Sequence, residues 1–137
     1  MKQYDTIVQQ AVQTVLETLP DVAGIYLFGS TGTRFETKES DIDLAVLPVS
    51  PVSPTQLWTL SQKIAVLLSR DIDLINLKDA STVLRFQIIS TGKRIYCNDQ
   101  AVCDEFEMVA YSSYLRFNEE RKEILEAIKN RGQIFNG

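Results

Sequence analysis

The chain predicts an α+β domain, with four short strands interleaved with helices and a long helical C-terminal region. Three observations carry this expectation. Runs of strand length, apolar or alternating, occur at about 23–28, 41–47 and 71–77, too short to be helices. Longer stretches with apolar residues three and four apart lie between and around them. From about residue 99 to 130 the helical pattern runs on without a turn signal.

The elements follow in order. Ile7, Val8, Ala11, Val12, Val15, Leu16 and Leu19 recur at helical spacing, so residues 3–19 predict an amphipathic helix ending before Pro20. Ala23-Gly24-Ile25-Tyr26-Leu27-Phe28 predicts a buried first strand. After a polar stretch, Asp41-Ile42-Asp43-Leu44-Ala45-Val46-Leu47 predicts a second, and Pro48, Pro51 and Pro54 mark an extended connector. Thr55 or a neighbour caps a helix carrying Leu57, Trp58, Leu60, Ile64, Leu67 and Leu68, with Trp58 as a core anchor. A third strand covers Asp71 to Leu77, a helix spans about 81–90, and Gly92-Lys93-Arg94-Ile95-Tyr96 predicts a short edge strand. In the last helix the inward-face candidates are Phe106, Val109, Ala110, Tyr114, Phe117, Ile124 and Ile128. Glu119 to Glu123 is a solvated, pair-rich segment.

Composition narrows the function. With 137 residues, one domain is expected over 1–137. The net charge of −4, from 18 acidic and 14 basic residues, argues against a broad nucleic-acid footprint. No apolar run approaches the ~20 residues that span a bilayer. Met1-Lys2-Gln3-Tyr4-Asp5 begins no secretory signal, so a cytoplasmic protein is expected. Cys97 and Cys103 stand in a chain with no histidine, which is too few soft ligands for zinc, and both are read as reduced. The absence of histidine also removes Ser-His and Cys-His schemes and leaves carboxylates and metal for any chemistry.

The strongest local signal lies at residues 29–43: Gly29-Ser30, ten residues, then Asp41-Ile42-Asp43. Alternate side chains of a strand share a face, so Asp41 and Asp43 project together, and they repel unless a cation sits between them. Gly and Ser at a strand end form a phosphate cradle, because Gly allows close backbone approach and Ser adds a hydroxyl. A cradle facing a carboxylate pair describes a metal–nucleotide site. Two-metal nucleotidyl transfer needs a third carboxylate. Asp71 and Asp73 are the candidates. Asp73 is preferred because apolar residues enclose it on both sides, while Asp71 follows Arg70 at the exposed end.

Phe28-Gly29-Ser30, ten residues and Ser40-Asp41-Ile42-Asp43-Leu44 resemble the signature of the DNA polymerase β-like nucleotidyltransferase superfamily. The chain is similar to its minimal nucleotidyltransferase branch, whose members commonly serve as antitoxins paired with HEPN-domain toxins. The resemblance covers about residues 5–97, the catalytic sheet region, and the helical region at about 99–131 suits the accessory part. It implies a small mixed β-sheet packed with helices and a long C-terminal helix. It also implies Gly29 and Ser30 on the β- and γ-phosphates, Asp41 and Asp43 on two Mg²⁺ ions, and Asp73 as the third ligand polarising the acceptor. Relatives often carry a small residue and Gly where this chain has Thr33 and Arg34. Arg34 is either an added phosphate contact or a solvent-facing side chain. ATP would be the donor, with AMP passed to a tyrosine of a cognate HEPN toxin. A binding-only antitoxin, a small-molecule nucleotidyltransferase of the aminoglycoside-modifying kind and a polymerase module are the other readings. Clustered charge, short length and acidic net charge respectively weigh against them.

Overall fold

The computed structural model describes residues 3–29 and 41–136. Its elements are α1 (Gln3–Thr18), β1 (Val22–Phe28), β2 (Ile42–Pro48), α2 (Pro54–Leu68), β3 (Ile72–Asn76), α3 (Thr82–Thr91), β4 (Lys93–Cys97) and α4 (Gln100–Asn136). The boundaries fall within a residue or two of the expectations except at the end of α4, which runs six residues past 130.

The strands form one mixed sheet in the order β3-β2-β1-β4. β1 pairs antiparallel with β2 and with β4, while β2 and β3 are parallel, joined by the α2 crossover. Parallel neighbours require such a crossover, and the α2 connection supplies it. Alternation divides the sheet into two faces. Val22, Ile25 and Leu27 of β1 with Ile42, Leu44 and Val46 of β2 pack on one side with Val8, Ala11, Val15, Leu57, Leu60 and Ile64 of α1 and α2. Ala23, Tyr26, Ala45 and Leu47 pack on the other with Ile88 of α3 and Cys103 of α4.

The helix starts are chemically specified. At α2 the cap is Ser53 rather than Thr55. Its Oγ accepts from Gln56 N at 3.1 Å, the Gln56 side chain accepts from Ser53 N, and Pro54 fills the first turn. Ser81 caps α3 the same way, accepting from Leu84 N.

Two core expectations are corrected. Trp58 is 64% exposed. Leu57, Leu60 and Ile64 take the sheet-facing side of α2, and Trp58, one residue on from Leu57, is turned about 100° away from it. In α4, Ala110 is buried, but Val109, Phe117, Ile124 and Ile128 are exposed. Phe117, Ile124 and Ile128 fail as core residues because the helix outruns the body it packs on, whereas Val109, next to the buried Ala110, is turned about 100° off the packed face. Both cysteines are free, as expected; Cys97 is exposed and Cys103 buried.

Candidate active site

The C-terminal end of β1 and the N-terminal ends of β2 and β3 meet at one end of the sheet. In the parallel β2–β3 ladder Asp43 is the direct partner of Asp73, on strands about 4.8 Å apart. Asp43 also stands opposite Phe28 on the antiparallel side. Asp41 lies two residues back from Asp43, just before β2, and is exposed. By alternation with Ala45 and Ile75, Asp43 and Asp73 project from the face that carries α3 and α4.

The charges of this group are coupled. Burial first, then the carboxylates of Asp73 and Asp41, push the Asp43 carboxyl up from 3.8 to about 6. Asp71 is absent from that set, and its backbone carbonyl is committed to the sheet, accepting from Ile42 N at 3.0 Å.

Gly29 completes the described part of the site. It has φ +77°, in the region open mainly to glycine. A Cβ there would run into the Asp43 carboxylate, with Cγ at 3.0 Å. The turn after β1 is thus packed directly on the central acid, and a side chain would separate the two. Ser30 and Arg34, the other two proposed phosphate contacts, lie outside the described residues.

The donor set suits magnesium. It offers hard carboxylate oxygens in a chain with no histidine. Among the described residues, no three acidic, cysteine or histidine groups are gathered closely enough to enclose an ion alone. Mg²⁺ binds through one or two carboxylates plus phosphate oxygens and water, so its fit here rests on the oxygen donors Asp41, Asp43 and Asp73 alone.

A second polar cluster, unforeseen in the sequence, fastens α4 to the sheet. Tyr26 Oη donates to Glu107 Oε2 at 2.6 Å, and Arg94 Nη1 donates to Asp104 and Glu107, each at 2.9 Å. Burial and then the Glu107 carboxylate hold the Tyr26 phenol well above its ordinary range, so it stays a donor. Spacing offered only a weak sign, Asp104 and Glu107 on one side of a helix. A groove of about 580 Å³ between α1 and β4, lined by Val8, Val12, Leu16, Ile95 and Tyr96, opens mainly against the α1–α2 face, away from the carboxylates.

This sheet, with a glycine turn laid against a triplet of strand-end carboxylates, is the framework of a nucleotidyltransferase, and residues 10–101 match the family described as Polymerase beta, Nucleotidyltransferase. The chain belongs to that family. More particularly, it is 35% identical over 118 residues to the protein adenylyltransferase MntA of Shewanella oneidensis, covering 85% of this chain and 84% of that one. Among solved structures it is similar to a toxin–antitoxin with AMP-PNP, with TM-score 0.78 and 32% identity over 88% of this chain and 96% of the other. It is also similar to the chain matched in a tri-AMPylated Shewanella oneidensis HEPN toxin in complex with MNT antitoxin, with TM-score 0.76 and 31% identity over 90% and 97%. Spectinomycin adenyltransferase AAD(9) from Enterococcus faecialis shares the fold at 19% identity, TM-score 0.55.

Proposed function

We propose that this chain is an antitoxin that transfers AMP from ATP to a tyrosine hydroxyl of a HEPN-domain toxin. The observation that carries the proposal is the Asp43–Asp73 register pair, with Asp41 beside it and Gly29 packed on Asp43. The named activity of the 35% identical relative and the AMPylated toxin in a similar complex support the choice of reaction and partner.

Asp41 and Asp43 are the residues that would hold Mg²⁺, with Asp73 joining them on the acceptor side. When bound, the metal neutralises triphosphate charge and lowers the pKa of an attacking hydroxyl. The chain's own contribution is positional. Gly29 lets the backbone approach the phosphates, and Ser30 adds a hydroxyl donor. Asp43, half-buried against Gly29, holds the centre of the site in one place. Asp73, on the neighbouring strand, orients the incoming tyrosine oxygen. That oxygen attacks the α-phosphorus, the bond to the β-phosphate oxygen breaks, pyrophosphate leaves, and the phenolic proton passes to solvent. Such a transfer depends on positioning and charge neutralisation and requires no histidine.

Isotope transfer tests the proposal. With ATP labelled at the α-phosphate, the toxin should become labelled in the presence of Mg²⁺ and stay unlabelled with chelator. With label at the γ-phosphate it should stay unlabelled throughout. Label arriving from the γ-phosphate would make the chain a kinase and overturn the reading.

A further inference from the structure

Two thiols that the transfer reaction does not use meet where β4 hands over to α4. Cys97 closes β4 and is exposed, while Cys103, in the first turn of α4, is buried. Strand pairing sets Cys97 opposite Gly24 of β1. Asn98 N donates to Ala23 O at 2.8 Å. Gly24 and Cys97 are therefore a non-hydrogen-bonded pair, the kind with Cα atoms about 4.5 Å apart and side chains closest. Both positions face α4, because Tyr96, the residue before Cys97, packs on the α1–α2 side.

Gly24 has no side chain, and α4 fills the gap. A Cβ on Gly24 would stand 2.5 Å from Cys103 Sγ. The Cys103 thiol thus occupies the space beside Cys97 that a side chain at position 24 would take, and the two thiols lie within hydrogen-bonding reach. Cys103 also donates to Ala23 O at 3.4 Å. That oxygen keeps its Asn98 and Asp99 donors if the thiol turns away, so the turn leaves nothing unpaired. Burial, then the Cys97 thiol, push the Cys103 thiol up to about 11, while the Tyr26 hydroxyl and the Arg94 guanidinium pull it down. Once Cys97 is capped, its proton no longer competes, and Arg94 remains to support a Cys103 thiolate.

We propose that Cys97 and Cys103 are a redox-modification site, an exposed attacking thiol and a buried resolving thiol that close into a reversible disulfide strapping the base of α4 to β4. The oxidant is a small-molecule disulfide. The Cys97 thiolate attacks one of its sulfurs, the S–S bond breaks, and one thiolate leaves. Cys103 gives its proton to that thiolate, attacks the Cys97 sulfur and expels the second thiolate, which takes a proton from water. The two cysteines lose two electrons, and the small disulfide is reduced to two thiols. Exposure lets Cys97 meet the oxidant, and burial leaves Cys103 reachable from Cys97 alone. The strap reinforces an existing contact. Glu107, one helical turn after Cys103, is already held by Tyr26 and by Arg94 of β4. Gly24 is five residues from Gly29, about 17 Å along a strand, so the carboxylate end is left untouched.

The test equilibrates the full chain with equimolar oxidised and reduced glutathione, quenches it in acid and records its intact mass. Wild type should lose the mass of two hydrogens, stay monomeric and carry no glutathione. Cleavage before Asp99 and before Asp104 separates the two cysteines, and the fragments should stay joined until dithiothreitol is added. The oxidised chain should melt about 4 °C or more above the reduced one, with Mg²⁺–ATP affinity within twofold. Cys97→Ser, at an exposed position, should fold as wild type, gain no glutathione and show no oxidant-dependent shift. Two free thiols, a glutathione adduct retained on Cys97 or a dimer linked through Cys97 would each overturn the proposal. So would an internal disulfide that leaves the melting temperature unchanged or lowers it, or an adduct on Cys103 in the Cys97→Ser chain.

Discussion

Replacing Gly29 by alanine should disturb the site through two separable costs. The backbone sits at φ +77°, where an L-residue loses about 1–2 kcal/mol relative to glycine. The new Cβ also overlaps the Asp43 carboxylate, with Cγ at 3.0 Å, and rotating that side chain off its well costs about 0.5–1.5 kcal/mol. Gly29→Ala should therefore destabilise the chain by about 2–3 kcal/mol. In an Asp43→Ala background the carboxylate is gone, the residual contact with Cβ is 3.3 Å, and only the backbone cost of about 1–2 kcal/mol should remain. Urea denaturation of wild type, both single variants and the double variant gives the coupling directly. A coupling of about 1 kcal/mol in the sense of rescue is the expected result. Additive effects would show that Gly29 and Asp43 do not touch and would leave the positive φ as the one structural reason for glycine here.

Other outcomes follow from the same geometry. Because the folded pKa of Asp43 is raised from 3.8 to about 6, its ionisation opposes folding. In chelator, stability should fall as pH rises from about 4 to about 6 and then level off. Asp43→Asn should flatten that slope and be about 1 kcal/mol more stable near neutral pH, the full shift being discounted for partial exposure; an unchanged slope would refute the assignment. Asp73→Asn should abolish AMP transfer with the fold intact by circular dichroism, while Asp71→Asn should be mild; the reverse ranking would exchange their roles. Trp58→Ala should change stability by less than about 0.5 kcal/mol, as for an exposed side chain, against about 3–5 kcal/mol for a core tryptophan.

The fold was legible where period and punctuation agree. Alternation at 41–47 and 71–77 with the Pro-rich connector placed β2, β3 and the start of α2 to within two residues. Trp58 was misplaced because Leu57 and Trp58 are adjacent on one turn, and periodicity alone leaves the choice of face open by about 100°. The outward half of α4 was misread for another reason. A helical stripe records which side is apolar, and says nothing of where the neighbouring body ends. At the site, the two-residue spacing of Asp41 and Asp43 was readable as a shared face. The register that sets Asp43 opposite Asp73 depends on a crossover through α2, and the contact of Gly29 with Asp43 on strand pairing across the 31–40 stretch. Neither is written in local sequence. The Tyr26–Glu107–Arg94 cluster brings Tyr26 of β1 to Arg94 and Glu107 of the consecutive elements β4 and α4, 81 residues from Tyr26 to Glu107, and the Asp104–Glu107 spacing was its one weak local sign.

The measurement that bears most directly on the account is the intact mass of the HEPN toxin after incubation with this chain, ATP and Mg²⁺. Wild type should add mass in AMP units as toxicity disappears. The Asp41→Asn/Asp43→Asn pair, which removes charge at nearly constant volume, should add none and leave the toxin active. An unmodified toxin that is nonetheless neutralised equally well by wild type and by the double variant would mean inhibition by contact alone, and would contradict the assignment of these carboxylates to catalysis.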